Sequence, residues 1–324
     1  MRFGIIGTNF VTRGFMAGVN KNPDVEVSVV CSGHYENAVR FAEEYNIPYT
    51  VKNYEELAES NLIDAVYIAT PNAMHFKQAK FFLEHKIPVF LEKPMCSNAK
   101  ETKELVRIAL ANTTYLHHGI MPLYMPNIAV LKDSVSKIGR LHNAFFVFSK
   151  YSSRYDAYLR GENPTTFRRE LSNGSIVDLG IYPLSLIVSL FGKPNKIHAS
   201  ATILDTGVDA AFQALLSYDE FSVSVMSSKA SDTSLVCEIS GEKGMVQIPH
   251  PSLLDDVVLN LRGEDTVHSE NAANPFEYQL KNFVNELSNG VISPQLVPYE
   301  LSITLMEILD EIRECCGVIY PADY

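Results

Sequence analysis

Five short segments of the chain carry side chains or backbone able to do chemistry. The first is Gly7-Thr8-Asn9-Phe10-Val11-Thr12, directly after the apolar run 3–6. A loop that cradles a dinucleotide pyrophosphate uses glycines at fixed spacing, one for the tight turn and one for close backbone approach. Gly7 holds the first place, while Asn9 and Thr12 stand where the other two small residues would be. Asn tolerates left-handed backbone angles, and the N–H groups opening the next helix would face a phosphate. The alternative is an ordinary turn between strand and helix.

The second segment, Val29-Val30-Cys31-Ser32-Gly33-His34-Tyr35, ends a predicted strand with no acidic residue. A carboxylate at that place grips a ribose 2′-hydroxyl and repels a 2′-phosphate. Ser32 and His34, with Arg13 as a candidate neighbour, therefore favour NADP over NAD. Next come Ala69-Thr70-Pro71-Asn72-Ala73-Met74-His75 and Leu91-Glu92-Lys93-Pro94, each after a predicted strand. Proline holds Lys93 out of the helical region and permits a cis bond. A fixed lysine there can act as a hydrogen-bond donor or electrophile, or be a surface lysine in a turn. The last segment is Gly174-Ser175-Ile176-Val177-Asp178-Leu179-Gly180-Ile181-Tyr182. Asp178 and Tyr182 are four apart and would share one face of a helix. An aspartate among apolar neighbours needs a cation if buried, and Lys93 is the candidate. Capping a helix start is the other use for it.

In the first 120 residues, apolar runs at 3–6, 25–30, 65–69, 89–91 and 115–119 alternate with helical patterns at 11–19, 36–45, 54–60, 74–85 and 100–111. Such alternation means βαβ units and a parallel sheet covered on both faces, with ligands at the carboxyl ends of its strands. Beyond residue 120 a helix is expected over 128–135 and another over 174–191, interrupted by Pro183. Strands are expected over 143–148, 196–203, 210–217, 222–227, 235–240, 245–248 and 257–261, then helices over 276–287 and 300–316. The fold class is therefore α/β. A dinucleotide-binding domain spans 1–120, and an α+β domain on a large, open, mainly antiparallel sheet spans 121–324. The 152–173 stretch reads as a long loop, a frequent seat of function.

Composition narrows the partners. The net charge of −11 disfavours nucleic acid and anionic lipid. No apolar run reaches the roughly 18 residues of a membrane span, and Met1-Arg2-Phe3-Gly4 runs into a strand without a signal-peptide pattern. The five cysteines include no zinc-type spacing, so no metal is expected. Cys315 and Cys316 read as part of the last helix, and the expected location is the cytoplasm. One face of the second sheet, carrying Phe145, Val147, Phe212, Val223, Val225 and Val236, is expected to bury itself in a homodimer or homotetramer.

Taken in order, these motifs resemble the glucose–fructose oxidoreductase/inositol dehydrogenase/rhizopine-catabolism (Gfo/Idh/MocA) family over essentially the whole chain. The similarity rests on the turn at Gly7, the A-T-P-N segment with His75, E-K-P at Glu92–Pro94, and D-x-G-x-Y at Asp178–Tyr182. The S-G-E-K-G turn at 240–244 and the C-terminal residues 317–321 also match. Tyr182, where most members carry His, looks like the dihydrodiol dehydrogenase and glucose–fructose oxidoreductase branches.

The resemblance implies a Rossmann domain, a nicotinamide cofactor, and hydride transfer to or from a sugar-like or diol small molecule. It implies Lys93 as catalytic lysine, Asp178 as companion acid and Tyr182 as proton donor or acceptor. Cofactor binding falls to Gly7, Thr8, Asn9, Phe10, Val11, Ser32, His34, Thr70, Pro71, Asn72, His75, Glu92 and Lys93. Substrate binding falls to Tyr124 and Arg168. Positions 122–123, Pro-Leu, lack the aromatic–arginine pair of many sugar-handling relatives. A non-catalytic cofactor-binding member, or a lyase that oxidises its substrate only transiently, are the other readings.

Overall fold

The computed structural model describes residues 1–271 and 274–324. It divides into two compact units, residues 1–119 with 274–302, and residues 120–273 with 303–324.

The first unit opens with β1 (Arg2–Ile6), α1 (Phe10–Val19), β2 (Glu26–Cys31), α2 (Tyr35–Tyr45), β3 (Tyr49–Val51) and α3 (Tyr54–Glu59). It continues with β4 (Ala65–Ile68), α4 (Asn72–Glu84), β5 (Val89–Glu92), α5 (Ala99–Ala111) and β6 (Leu116–Gly119). The strands form one sheet in the order β3-β2-β1-β4-β5-β6, every pair parallel. Chain order reverses between β1 and β4, so their carboxyl ends flank the crevice where such sheets bind ligands. The strand residues of β4 and β5 are all buried, the consequence of helices covering both faces. The sequence pattern misses only β3, three residues long and half exposed.

The second unit contains α6 (Asn127–Lys137), β7 (Leu141–Ser149), α7 (Ser153–Leu159), α8 (Ser175–Asp178) and α9 (Ile181–Phe191). Then come β8 (Lys196–Ile203), β9 (Asp209–Ser217), β10 (Ser222–Ser228), β11 (Cys237–Gly241), β12 (Gly244–Ile248), β13 (Asp256–Leu261) and β14 (Val267–Glu270). These eight strands order as β14-β13-β12-β11-β7-β10-β9-β8. All pairs are antiparallel except β7 with β10. The chain ends with α10 (Pro275–Ser288) and α11 (Tyr299–Cys316), the latter carrying Cys315 and Cys316 as free thiols.

Four expectations need correction. Residues 274–302 cluster with the first unit, not with the second. The cause is the apolar stripe of α10: Phe276, Leu280 and Phe283 are buried, with the Phe283 ring 5.3 Å from that of Phe3. The 152–173 stretch is not a plain loop, because Ser152 caps α7 through Arg154 N. The 174–191 helix is two helices, broken at Leu179–Gly180 and not at Pro183, which sits in the first turn of α9 where its missing N–H costs nothing. Finally, Phe212, Val223 and Val225 are at most 2% exposed. They lie on the sheet face that α8 and α9 cover. By strand alternation and register the opposite face presents Phe145, Val147, Gln213, Leu215, Ser224 and Met226, so the residues expected on one face divide between two.

Candidate active site

Each unit gathers part of the expected constellation. In the first unit, Gly7 has φ +101, and a Cβ there would stand 2.3 Å from the Ala69 carbonyl oxygen. The turn after β1 thus presses against the end of β4, an approach that only glycine permits. Asn9 fastens the same contact: its Nδ2 donates to Ala69 O at 2.8 Å. Its Oδ1 accepts from Val11 N at 2.9 Å and Thr12 N at 3.3 Å, and Thr12 Oγ1 donates to Gly7 O at 2.9 Å. This corrects the expectation that the start of α1 offers all its N–H groups to a phosphate. The side chain in the second glycine's place has become the helix cap. Thr8, Asn9 and Phe10 remain at the rim, Phe10 82% exposed.

Ser32 is buried at the end of β2, and His34 is exposed before α2 with no side-chain cap on that helix. The start of α2 is thus an N-terminus with uncapped N–H groups. Arg13 is committed elsewhere. It pairs with Glu44, and its guanidinium lies 5.7 Å from the Phe41 ring centroid and 5.9 Å from that of Tyr45. It belongs to the contact between α1 and α2.

His75 is wholly buried. Its Nε2 lies 2.9 Å from Thr70 O and its Nδ1 2.9 Å from Pro94 O. Expected to touch cofactor, it instead ties the loop after β4 to the loop after β5. Burial lowers its pKa, so one nitrogen of a neutral ring makes the donated bond. Thr70 Oγ1 donates to Gln78 Oε1 at 2.6 Å, which holds Thr70, exposed Pro71 and half-buried Asn72 at the start of α4. Lys93 is half-buried, and its bond to Pro94 is cis. Its N–H points to Glu92 Oε2 at 3.3 Å, while Tyr67 donates its hydroxyl to Glu92 Oε1 at 2.8 Å. Desolvation pushes the Glu92 carboxyl up to about 7.

In the second unit, Asp178 ends α8 and Tyr182 stands in the first turn of α9. The break between them means that no single helical face carries both. Asp178 is one-third exposed and paired with Lys229, whose side chain is 4% exposed. Lys229 follows β10 and belongs to no motif that sequence reasoning singled out. Its only signal was a cation directly after an otherwise uncharged strand. The Tyr182 ring meets Phe148 edge-on at 5.6 Å, and the residue is 8% exposed. Tyr124 is buried in the turn Met121–Tyr124. Arg168 pairs with Glu170 at 2.8 Å and lines a surface hollow with Tyr158, Asp205 and Thr206. One described trio, Asp256, His268 and Glu270, brings metal-ligand atoms within 4.8 Å. His268 already pairs with Asp256 at 3.3 Å and two of the three are exposed, the pattern of a surface ion pair.

Comparison with known proteins gives the family. Residues 1–119 match the model of an oxidoreductase family with an NAD-binding Rossmann fold, and residues 135–247 match the C-terminal domain of the same GFO/IDH/MocA family. The chain belongs to the GFO/IDH/MocA oxidoreductase family. It is 36% identical to the scyllo-inositol 2-dehydrogenase (NADP(+)) IolU of Bacillus subtilis, over 100% of this chain and 99% of that one. It is 30% identical to mouse trans-1,2-dihydrobenzene-1,2-diol dehydrogenase, over 100% and 99%. The fold superposes on the 3-ketoreductase KijD10 of Actinomadura kijaniata, a crystal structure with NADP and TDP-benzene, with TM-score 0.88 over 99% of each chain and 19% identity. The recognition of the family from its sequence therefore holds.

Proposed function

We propose that this oxidoreductase moves a hydride between NADP(H) and a secondary alcohol or ketone carbon of a small polyol or diol. The observation that carries the cofactor choice is the end of β2: Ser32 and His34 stand there without a carboxylate, before an uncapped helix start. The uncapped N–H groups suit a 2′-phosphate, and the one acid in the first turn of α2 is Glu36, beyond the strand end. The name of the 36% identical IolU points the same way. Gly7, Thr8, Asn9, Phe10 and Val11 would hold the pyrophosphate. Thr70, Pro71, Asn72, Glu92 and Lys93 would hold the nicotinamide half, with His75 acting through the two loops it ties. Because Asn9 Oδ1 satisfies Val11 N and Thr12 N, backbone at Thr8 to Phe10 must meet the phosphates.

The bound nicotinamide supplies or accepts the hydride. Lys93 provides positive charge where an alkoxide develops, Asp178 is the companion acid, and the Tyr182 hydroxyl gives or takes the substrate proton. Tyr124 and Arg168 are assigned to substrate. The protein is further proposed to be a cytoplasmic homodimer or homotetramer. Five free cysteines suit a reducing compartment, and Leu215, 42% exposed, with half-exposed Phe145 and Met226 would anchor the pairing face.

The test is a panel of inositols, other polyols and trans-dihydrodiols, followed at the reduced-nicotinamide absorbance band with NADP and with NAD. Turnover with at least a tenfold preference for NADP, about 1.4 kcal/mol, is expected. A tenfold preference for NAD overturns the cofactor assignment, and binding of either cofactor without turnover of any substrate overturns the reaction.

A further inference from the structure

A buried ammonium in the second unit stands outside every motif singled out in the sequence. Lys229 is 3% exposed, yet it occupies the first position after β10. Its backbone is fixed on both sides: Lys229 N donates to Ala210 O, and Ser152 N donates to Lys229 O, each at 2.8 Å. The ammonium at the end of that pinned backbone donates to Asp178 Oδ2. The residue before Ala210, Asp209, brings a further carboxylate, and this one is wholly buried. Its Oδ2 accepts Ile176 N at 2.7 Å and so caps the start of α8, the four-residue helix that Asp178 ends. Gly174, at φ +145, makes room for this cap, since a Cβ there would lie 2.1 Å from Asp209 Oδ1. Ser175 and Ser227 add a hydroxyl–hydroxyl bond at 2.9 Å. Both ends of α8 are therefore bound to the ends of β9 and β10, one by Asp209 and the other by Lys229.

A buried ammonium is costly to desolvate, and an ion pair offers at best a partial return in stability. What this one provides is placement. Lys229 is almost wholly enclosed, whereas Asp178 is one-third open to solvent. The pair joins a rigid, dry anchor to a carboxylate that faces outward.

We propose that Lys229 is a positioning residue for Asp178, fixing its carboxylate in one orientation toward the reactants. The inference rests on the proposed role of Asp178 in hydride transfer, and the experiment separates the two. Four proteins are compared: wild type, Lys229→Gln, Asp178→Asn and the double variant, with Lys229→Arg as the charge-conserving control. Each is assayed with the best polyol of the panel and by thermal melting without cofactor.

Lys229→Gln is expected to lower kcat about 10- to 100-fold, in the range seen when a group that orients a reacting residue is lost, with the KM for NADP nearly unchanged. Lys229→Arg should recover most of that loss, and in the double variant Lys229→Gln should add little to the effect of Asp178→Asn. A merely structural lysine would lower the melting temperature and leave the kcat of the folded enzyme and the kcat-to-KM split intact. That result overturns the proposal, as do fully additive kcat effects. If Lys229→Gln does not fold, the double variant should fold better, because position 178 no longer carries an uncompensated charge. A double variant no more stable than the single one refutes the pairing. If the wild type turns over nothing, the reaction assignment fails, and the melting cycle still decides whether Lys229 holds Asp178.

Discussion

Replacing Glu92 by Gln tests how the site keeps a carboxylate in a dry place beside Lys93. Glu92 is 5% exposed, and its partners are the Tyr67 hydroxyl and the Lys93 N–H. Desolvation outweighs both, raising the carboxyl from 4.5 to about 7. Between those values the folded state holds a proton that the unfolded state has released, so stability falls as pH rises through that window. The full loss, about 2.5 pH units at roughly 1.4 kcal/mol each, is on the order of 3 kcal/mol. From pH 5 to pH 9 it is roughly 2–3 kcal/mol, since part of the unfolded-state titration lies below pH 5.

Gln has the shape of the protonated acid and cannot ionise. Its amide group facing the Lys93 N–H costs something, but that cost is the same at every pH. The quantity to measure is therefore the difference in unfolding free energy between Glu92→Gln and wild type, by urea denaturation at pH 5 and at pH 9. The variant should gain roughly 2–3 kcal/mol on wild type between the two. A difference constant to within about 0.5 kcal/mol would show that Glu92 is not held above its ordinary pKa, and the account of this buried carboxyl would fail.

The buried histidines of β6 give the opposite slope. Burial lowers His117 and His118 to about 3, so the unfolded chain takes up protons below pH 6.5 and each ring costs about 1.4 kcal/mol per pH unit. His118→Asn should therefore flatten the loss of stability on acidification between pH 6.5 and 3 by about that slope; an unchanged slope in pH-dependent denaturation refutes it. Asn9→Ala removes the cap on Val11 and Thr12 and the bond to Ala69 O, and should cost about 1–2 kcal/mol; an unaltered melting curve would contradict the capping role. Tyr182→Phe keeps the ring against Phe148, so melting and NADPH affinity should stay close to wild type while kcat falls about 10²–10⁴-fold. Wild-type kcat would dismiss the tyrosine as proton donor.

The Rossmann half is legible from sequence because its strands are buried on both faces and its helices are amphipathic, so local pattern and tertiary environment agree. β4 and β5 are uniformly apolar until Glu92. β3 escapes detection because half-buried Thr and Val beside exposed Tyr49 in three residues give no period to count. The large sheet is legible strand by strand except for the short, largely exposed β14, but not in its faces. Phe212, Val223 and Val225 point toward α8 and α9, and which face those short helices cover is a property of topology, not of any one strand's alternation. The return of α10 to the first unit is equally invisible locally. Its stripe of Phe276, Leu280 and Phe283 announces burial, and only the neighbouring rings of Phe3 and Phe15 say where.

The site shows the same division between what spacing can tell and what it cannot. Motif spacing singles out Gly7, Lys93, Asp178 and Tyr182, because each stands at a strand or helix end where backbone geometry is demanding. It does not give every side chain's contacts. Asn9 reads as a gap in a glycine fingerprint and is a helix cap. His75 reads as a ligand contact and is a tie between loops. Asp178 and Tyr182 read as one helical face, and the break at Leu179–Gly180 puts them on two helices. Within its own unit Asp178 has Lys229 as a cation, from the end of a strand 51 residues later. A buried charge states that a counter-charge exists without stating where in the sequence it lies. An uncharged strand that ends abruptly in a lysine, as β10 does, is the signal worth reading for it.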